Sequence, residues 1–314
     1  TIEDWLYEVV WQPRPLWGLL PDYLPSPAQV LKPLTKQWEA QVEDPALQRS
    51  FAAQKLLEDL CIDYVLQAFT EAGFVFVTGN HWSSAEIAKQ LGVLPAYFPL
   101  LEHLLQVLAE EGILAQSSDG WQVIRIPQRE KLAVKLQAVR AQVADTATIE
   151  LNLLDRCGAR LGAVLRGQQN TLELLFADDT TAKLYQESHV AQLMNNLMQQ
   201  AVLRAIAQIP AGQGIRILEI GGGTGGTTAG LLSMLASVLD THHIEYCFSD
   251  VGGSFINQAR RKFADYNFVR YQTLDIGQPP EAQGFALHYY DLVIAANVLH
   301  ATQDLTETLA HIHR

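Results

Sequence analysis

The pattern of apolar positions divides the 314-residue chain into two regimes. Over 1–209 apolar residues recur mostly at helical spacing, whereas from 210 short apolar runs alternate with amphipathic stretches. Over 51–69 the positions Leu56, Leu57, Leu60, Tyr64, Val65 and Ala68 predict one helix, after another over 28–42. Ser83-Ser84-Ala85-Glu86 reads as the cap of a short helix that Gly92 ends. A helix over 95–111 and two short strands within 113–126, around 117–120, complete a winged-helix-like pattern spanning about 55–126. Helices follow over 130–147, 149–157, 161–165 and 182–207, with a turn at 178–181. The first 50 residues hold seven prolines and four tryptophans (Trp5, Trp11, Trp17, Trp38) and suit an extended strap packed on other structure.

The second regime begins with IRILEIGGGTGG over 215–226. A buried strand runs into Gly221, Gly222, Gly223, Gly225 and Gly226, and a helix is expected over 227–239. Glycines let the backbone turn tightly and approach a ligand, and the helix N-terminus offers free N–H groups. Gly221, Gly223 and Gly226 fit GxGxxG, a weak dinucleotide signature, while Glu219, Gly221, Gly223 and Gly225 fit ExGxGxG. The acid two positions before the first glycine favours S-adenosylmethionine over a dinucleotide, its carboxylate beside the ligand crevice. Further strands are expected over 244–249, 267–272 and 291–296, with helices over 254–264 and from about 302. This alternation predicts an α/β fold, a Rossmann-like parallel sheet with its ligand at the carboxyl ends of the strands. Asp250, ending the second strand, is placed to accept two hydrogen bonds from ribose hydroxyls, and Asp275, after the third, to meet an adenine amino group.

Composition narrows the picture. A net charge of −12 argues against nucleic-acid binding, and the would-be recognition helix over 95–111 carries no Lys or Arg. No apolar run is long enough for a membrane span, and no charged-then-apolar leader opens the chain, so a cytoplasmic setting is expected. Cys61, Cys157 and Cys247 are distant from one another and read as reduced, mostly buried thiols without metal-ligand spacing; no metal is expected. Residues 129–166 carry seven basic side chains against four acids, a net +3 in an acidic chain, read as an ordinary solvated helix face or a dock for an acidic partner. The opening without Met and the stop inside the helix after the fourth strand suggest a piece of something longer, an incomplete copy of its fold.

The fourth strand runs into NVLHAT, 297–302. With EIGGGTGGTTAGLL, LDIGQPPEAQGF and, earlier, LYEVVWQP, LEDLCIDYVLQAF and LELLFADDTTAKLYQES, this run resembles the methyltransferase domains embedded in modular polyketide synthases, most closely the C-methylating domains of bacterial and cyanobacterial ones. The resemblance covers essentially the whole chain. It implies a class I methyltransferase core over 210–314, truncated after its fourth strand, preceded by a mostly helical lid region over 1–209. It also implies transfer of a methyl group from S-adenosylmethionine, leaving S-adenosylhomocysteine, to the α-carbon of a β-ketoacyl chain. That chain would be carried on the phosphopantetheine of an acyl carrier protein, with neighbouring domains of the same synthase as further partners. His300 corresponds to the family's catalytic base, supported there by a Glu further along. Asn297 and Tyr185 join the cofactor-binding candidates. Ser188-His189 departs from the family's usual Ser-Pro.

The chemistry of His300 agrees independently. The carbon between a ketone and a thioester is acidic enough for an imidazole to deprotonate near neutral pH. The alternatives left open are O-methylation by the same architecture, a catalytically inactive structural domain, and a dehydrogenase.

Overall fold

The computed structural model describes residues 23–128 and 131–314. Most of the expected N-terminal strap, with Trp5, Trp11 and Trp17, and the basic Arg129 therefore lie outside the described residues. The described chain forms two compact units, Glu39–Leu193 and a second made of 23–38 with Met194–Arg314.

Capping residues set the helix starts in the first unit. Helix α1 spans Pro27–Val42. Asp44 accepts hydrogen bonds from the N–H groups of Ala46 and Leu47, so α2 begins at Pro45 and runs Pro45–Glu71, earlier than apolar spacing alone suggested. After strand β1 (His81–Trp82), Ser83 and Glu86 close a reciprocal capping box on α3 (Ser84–Leu91), and Gly92 ends it at φ 69°. One 3-10 turn, Pro95–Tyr97, leads into α4 (Phe98–Glu110). Strands β2 (Leu114–Ser117) and β3 (Gly120–Val123) pair antiparallel and β1 joins β3, giving the order β1-β3-β2 of the expected wing. Phe69, Phe74, Phe76, Leu105, Leu108 and Trp121 fill its core.

Helices α5 (Leu132–Gln142), α6 (Thr148–Gly158), α7 (Leu161–Leu165) and α8 (Thr171–Leu175) follow, the last not foreseen from sequence. The single helix expected over 182–207 is two: α9 (Thr180–Glu187) and α10 (His189–Ile206). Ser188 breaks them apart, because its backbone is extended (ψ 146°) and its hydroxyl accepts the N–H of Ala191 as an N-cap. His189, the departure from Ser-Pro, occupies the first helical position, where proline is well suited.

The basic segment is partly neutralised. Lys135 pairs with Asp63 at 2.5 Å, Arg140 with Asp155 at 3.1 Å and Arg156 with Asp178 at 2.8 Å. Asp63 and Asp178 come from outside the segment, so two of its three excess charges are met within the fold. The expectation of mostly buried cysteines also needs correction: Cys61 is exposed, Cys157 half-buried and Cys247 buried.

In the second unit β4 (Gly214–Ile220) leads to α11 (Gly226–Ala236), β5 (His243–Asp250) to α12 (Gly253–Lys262), then β6 (Val269–Thr273), β7 (Leu292–Ala295) and α13 (Leu305–His313). Asp304 caps α13 through the N–H of Glu307, which sets its start three residues after Thr302. All four strands are parallel, in the order β6-β5-β4-β7. Six of the seven residues of β4 are buried, as a central parallel strand requires. From β4 the chain builds outward through β5 and β6, then returns to place β7 on the other flank of β4. The switch point of this sheet therefore lies at the carboxyl ends of β4 and β7, where such folds take their ligands. No helix among the described residues is long and apolar enough to cross a membrane.

Candidate functional site

Two loops leave that switch point: 221–225 after β4 and 296–302 after β7. Gly221, Gly223 and Gly225 hold φ of 63°, 53° and 73°, left-handed values that a side chain makes costly. At Gly221 and Gly225 space is also short. An added Cβ would meet Val298 at 2.3 Å and Phe263 at 2.7 Å, respectively. At Gly223 the nearest atom would be 3.9 Å away, so this part of the turn stays open.

Glu219 sits one residue before the end of β4 and is 2% exposed. Its Oε2 accepts hydrogen bonds from Thr228 Oγ1 and the Tyr246 hydroxyl, both at 2.7 Å. Burial raises its pKa to about 7, against the pull of the two hydroxyl donors, with the negative Asp250 adding to the rise. The same surroundings hold the Tyr246 hydroxyl well above the usual tyrosine range. The carboxylate is thus buried near the carboxyl end of β4 and held there by two hydroxyls. Ser249 adds a 2.6 Å hydrogen bond to the Glu219 carbonyl and locks the strand end.

Asp250 ends β5 and is 6% exposed. Its Oδ2 accepts the N–H of Gly223 at 2.9 Å and its Oδ1 that of Gly252 at 2.7 Å. The side chain clasps the glycine turn to its own loop, and both oxygens keep lone pairs for further donors. Lys262 adds a hydrogen bond to the Thr224 carbonyl at 3.1 Å. Asp275 is exposed and bonds the N–H of Gly277 at 2.9 Å, an Asx turn after β6.

On the other loop, Asn297 is exposed and adopts φ 53°, a region asparagine tolerates better than most residues. Val298 packs against Gly221, and His300 is exposed on a short 3-10 turn, Leu299–Ala301. Glu219 and Asp250 on their strands, and Gly221, Gly223, Gly225, Asn297 and His300 on the loops after β4 and β7, thus belong to one sheet. Tyr185 lies on α9 in the other unit, 41% exposed. Sequence reasoning missed Thr228 and Tyr246, which bind Glu219 from 9 and 27 residues away. Among the described residues no cluster of His, Cys, Asp and Glu could hold a metal ion.

The arrangement offers two carboxylates, acceptors suited to a cationic, hydroxyl-bearing ligand, and an open glycine turn. The Methyltransferase domain family matches residues 218–314. The carbon methyltransferase CurJ is 38% identical with a TM-score of 0.83, across 91% of this chain and 74% of that one. The polyketide synthase ThaQ of Burkholderia thailandensis is 36% identical over 231 residues, 70% of this chain and 11% of its own. The non-reducing polyketide synthase mapC of Penicillium roqueforti is 32% identical over 260 residues, 80% of this chain. The chain spans about a tenth of the length of these curated synthases, fungal and bacterial alike.

Proposed function

The chain belongs to the methyltransferase domains of polyketide synthases, and on that premise we propose that it methylates the α-carbon of a β-ketoacyl thioester carried by an acyl carrier protein, with His300 as the base. It is an S-adenosylmethionine-dependent methyltransferase. When bound, that donor supplies a methyl group made electrophilic by its sulfonium.

The residues of this chain do the rest. Glu219, Gly221, Gly223, Gly225 and Asp250, with Asp275 and Asn297, hold the donor. Asp250 has lone pairs left for the two ribose hydroxyls after its backbone bonds are made. Gly223 leaves the turn open for close approach. His300 takes the α-proton of the ketothioester onto its imidazole, and the carbanion so formed is the nucleophile. In-line displacement then requires acceptor and donor to be held together at one crevice.

The observation that carries this reading is the seating of Val298 against Gly221. It ties the turn bearing His300 to the turn that follows β4, so the base and the donor-binding loop share one frame. The position of β7 beside β4 supports the same reading.

The test uses a β-ketoacyl carrier protein with S-adenosylmethionine, read by intact mass, beside a substrate whose α-carbon already bears two methyls. One methyl gained on the first only, and lost in His300→Ala while donor affinity persists, is the expected result. Gain on a hydroxyacyl substrate instead would move the reading to O-methylation. Unchanged turnover in His300→Ala would remove His300 as the base.

A further inference from the structure

Tyr246 is wholly buried in the middle of β5, where Phe would fill the same space without a polar atom to satisfy. Thr228, also wholly buried, lies in the first turn of α11, where Val would pack equally well. Each hydroxyl instead meets the same oxygen of Glu219 at 2.7 Å. Burying two hydroxyls and a carboxylate is costly in a core otherwise lined by Ile217, Phe248 and Leu231. Packing does not account for it.

We propose that Tyr246 and Thr228 are positioning residues that hold the Glu219 carboxylate ionised and fixed beneath the glycine turn, so that it receives the cationic end of S-adenosylmethionine. The inference rests on reading Glu219 as a donor-binding residue. Two hydroxyls on one oxygen leave the carboxylate a single orientation. They also stabilise its anion, opposing the burial that lifts its pKa to about 7. The charged and titratable groups around it are few. Tyr246 and Asp250 face it from β5, Thr228 is its partner from α11, and its register partner on β7 is the apolar Ile294. Asp250 is negative and makes ionisation of Glu219 harder, which increases the need for the hydroxyl donors.

Two consequences follow for binding. Affinity for a cationic ligand should fall as Glu219 takes up a proton near pH 7. Removing either hydroxyl should move that fall to higher pH, since the anion loses a donor.

The experiment is calorimetric titration of the chain with S-adenosylmethionine and S-adenosylhomocysteine from pH 5.5 to 8.5. The variants are Tyr246→Phe, Thr228→Val, Thr228→Ser and Glu219→Gln. Tyr246→Phe and Thr228→Val are expected to weaken binding at pH 7 by about three- to tenfold and to recover toward pH 8.5. Thr228→Ser, which keeps the hydroxyl, should track the unaltered chain, and Glu219→Gln should flatten the profile. S-adenosylhomocysteine, lacking the sulfonium charge, should show a shallower dependence.

A flat Glu219→Gln profile with both hydroxyl variants unshifted would overturn the positioning role and leave Glu219 as a donor-binding residue. An unchanged profile in Glu219→Gln would overturn both. Circular dichroism of each variant checks the fold, and Thr228→Val carries the test should Tyr246→Phe not fold.

Discussion

The γ-methyls of Val298 occupy the space in which Gly221 would carry a Cβ, which would stand 2.3 Å from Val298 Cγ2. Two loops that leave neighbouring strands are thereby keyed to each other, and the key is the absence of a side chain. The left-handed φ of Gly221 adds a second reason for glycine at this position.

Gly221→Ala should therefore cost about 2–4 kcal/mol, from strain and overpacking together, and should weaken donor binding. Val298→Ala added to it should restore part of the stability by removing the 2.3 Å contact with Cγ2, while the 2.7 Å approach to the Val298 Cβ and the φ penalty remain. Urea unfolding of the two variants is the check. Equal stability of single and double variants would mean the loops are not keyed through this contact.

Glu219 gives a pH dependence of stability with a defined sign. Its folded pKa of about 7 lies above its ordinary 4.5, so the neutral acid favours the folded state. That contribution is complete below about pH 4.5 and is lost as pH rises through 7, a change of about 3 kcal/mol. Gln cannot ionise. The stability of Glu219→Gln relative to the unaltered chain should rise between pH 5 and pH 8, and parallel unfolding curves across that range would refute it.

Asp250 and Asp275 should respond differently to Asn. Asp250 is buried and accepts N–H groups on both oxygens, so Asp250→Asn turns an amide donor toward one of them. A loss of about 1–3 kcal/mol is expected, with donor affinity down more than tenfold. Asp275 is exposed and its side chain accepts the N–H of Gly277 in an Asx turn, which Asn also makes, while its backbone bonds to Gln283 are unaffected. Asp275→Asn should change stability by less than about 0.5 kcal/mol. Thermal melts and titration of each variant read both effects.

His189→Pro should be tolerated. The residue opens α10 behind an extended Ser188, the geometry that precedes proline comfortably. Proline would stabilise by about 0.5 kcal/mol through the unfolded chain, offset by losing the 3.3 Å contact of His189 Nδ1 with the Thr146 carbonyl. A melting temperature within a few degrees of the unaltered chain is expected, and collapse of the fold would show that the histidine is required.

Asp155→Ala should destabilise the Glu39–Leu193 unit. Asp155 accepts the Tyr64 hydroxyl at 2.7 Å and pairs with Arg140 at 3.1 Å, while the Tyr64 ring lies where Gly158 lacks a side chain. A loss of about 1–3 kcal/mol follows from stranding the hydroxyl. Denaturant unfolding should show it, and a double variant with Tyr64→Phe should recover part of the loss.

The strands and the glycine turn were legible because a buried parallel strand is a nearly unbroken apolar run and the turn needs glycine where φ is positive. The interruption at Ser188 was not. Apolar spacing continues through it, and a serine that caps looks the same in sequence as one that rides along a helix. The setting of Glu219 was hidden for another reason. Its partners Thr228 and Tyr246 come from the next helix and the next strand, and a hydroxyl inside an apolar run gives no sign of which carboxylate it meets. The turn after β7 was expected from the end of an apolar run, whereas the seat of Val298 on Gly221 needs three-dimensional adjacency to be seen.

The Asp250 clasp has a kinetic consequence. Because its carboxylate already fixes the N–H groups of Gly223 and Gly252, the turn has settled before any ligand arrives. Little ordering entropy is left to lose at the moment of encounter. The arriving molecule meets a finished surface and need not wait for a rare conformer, so its association rate should track its concentration without saturating.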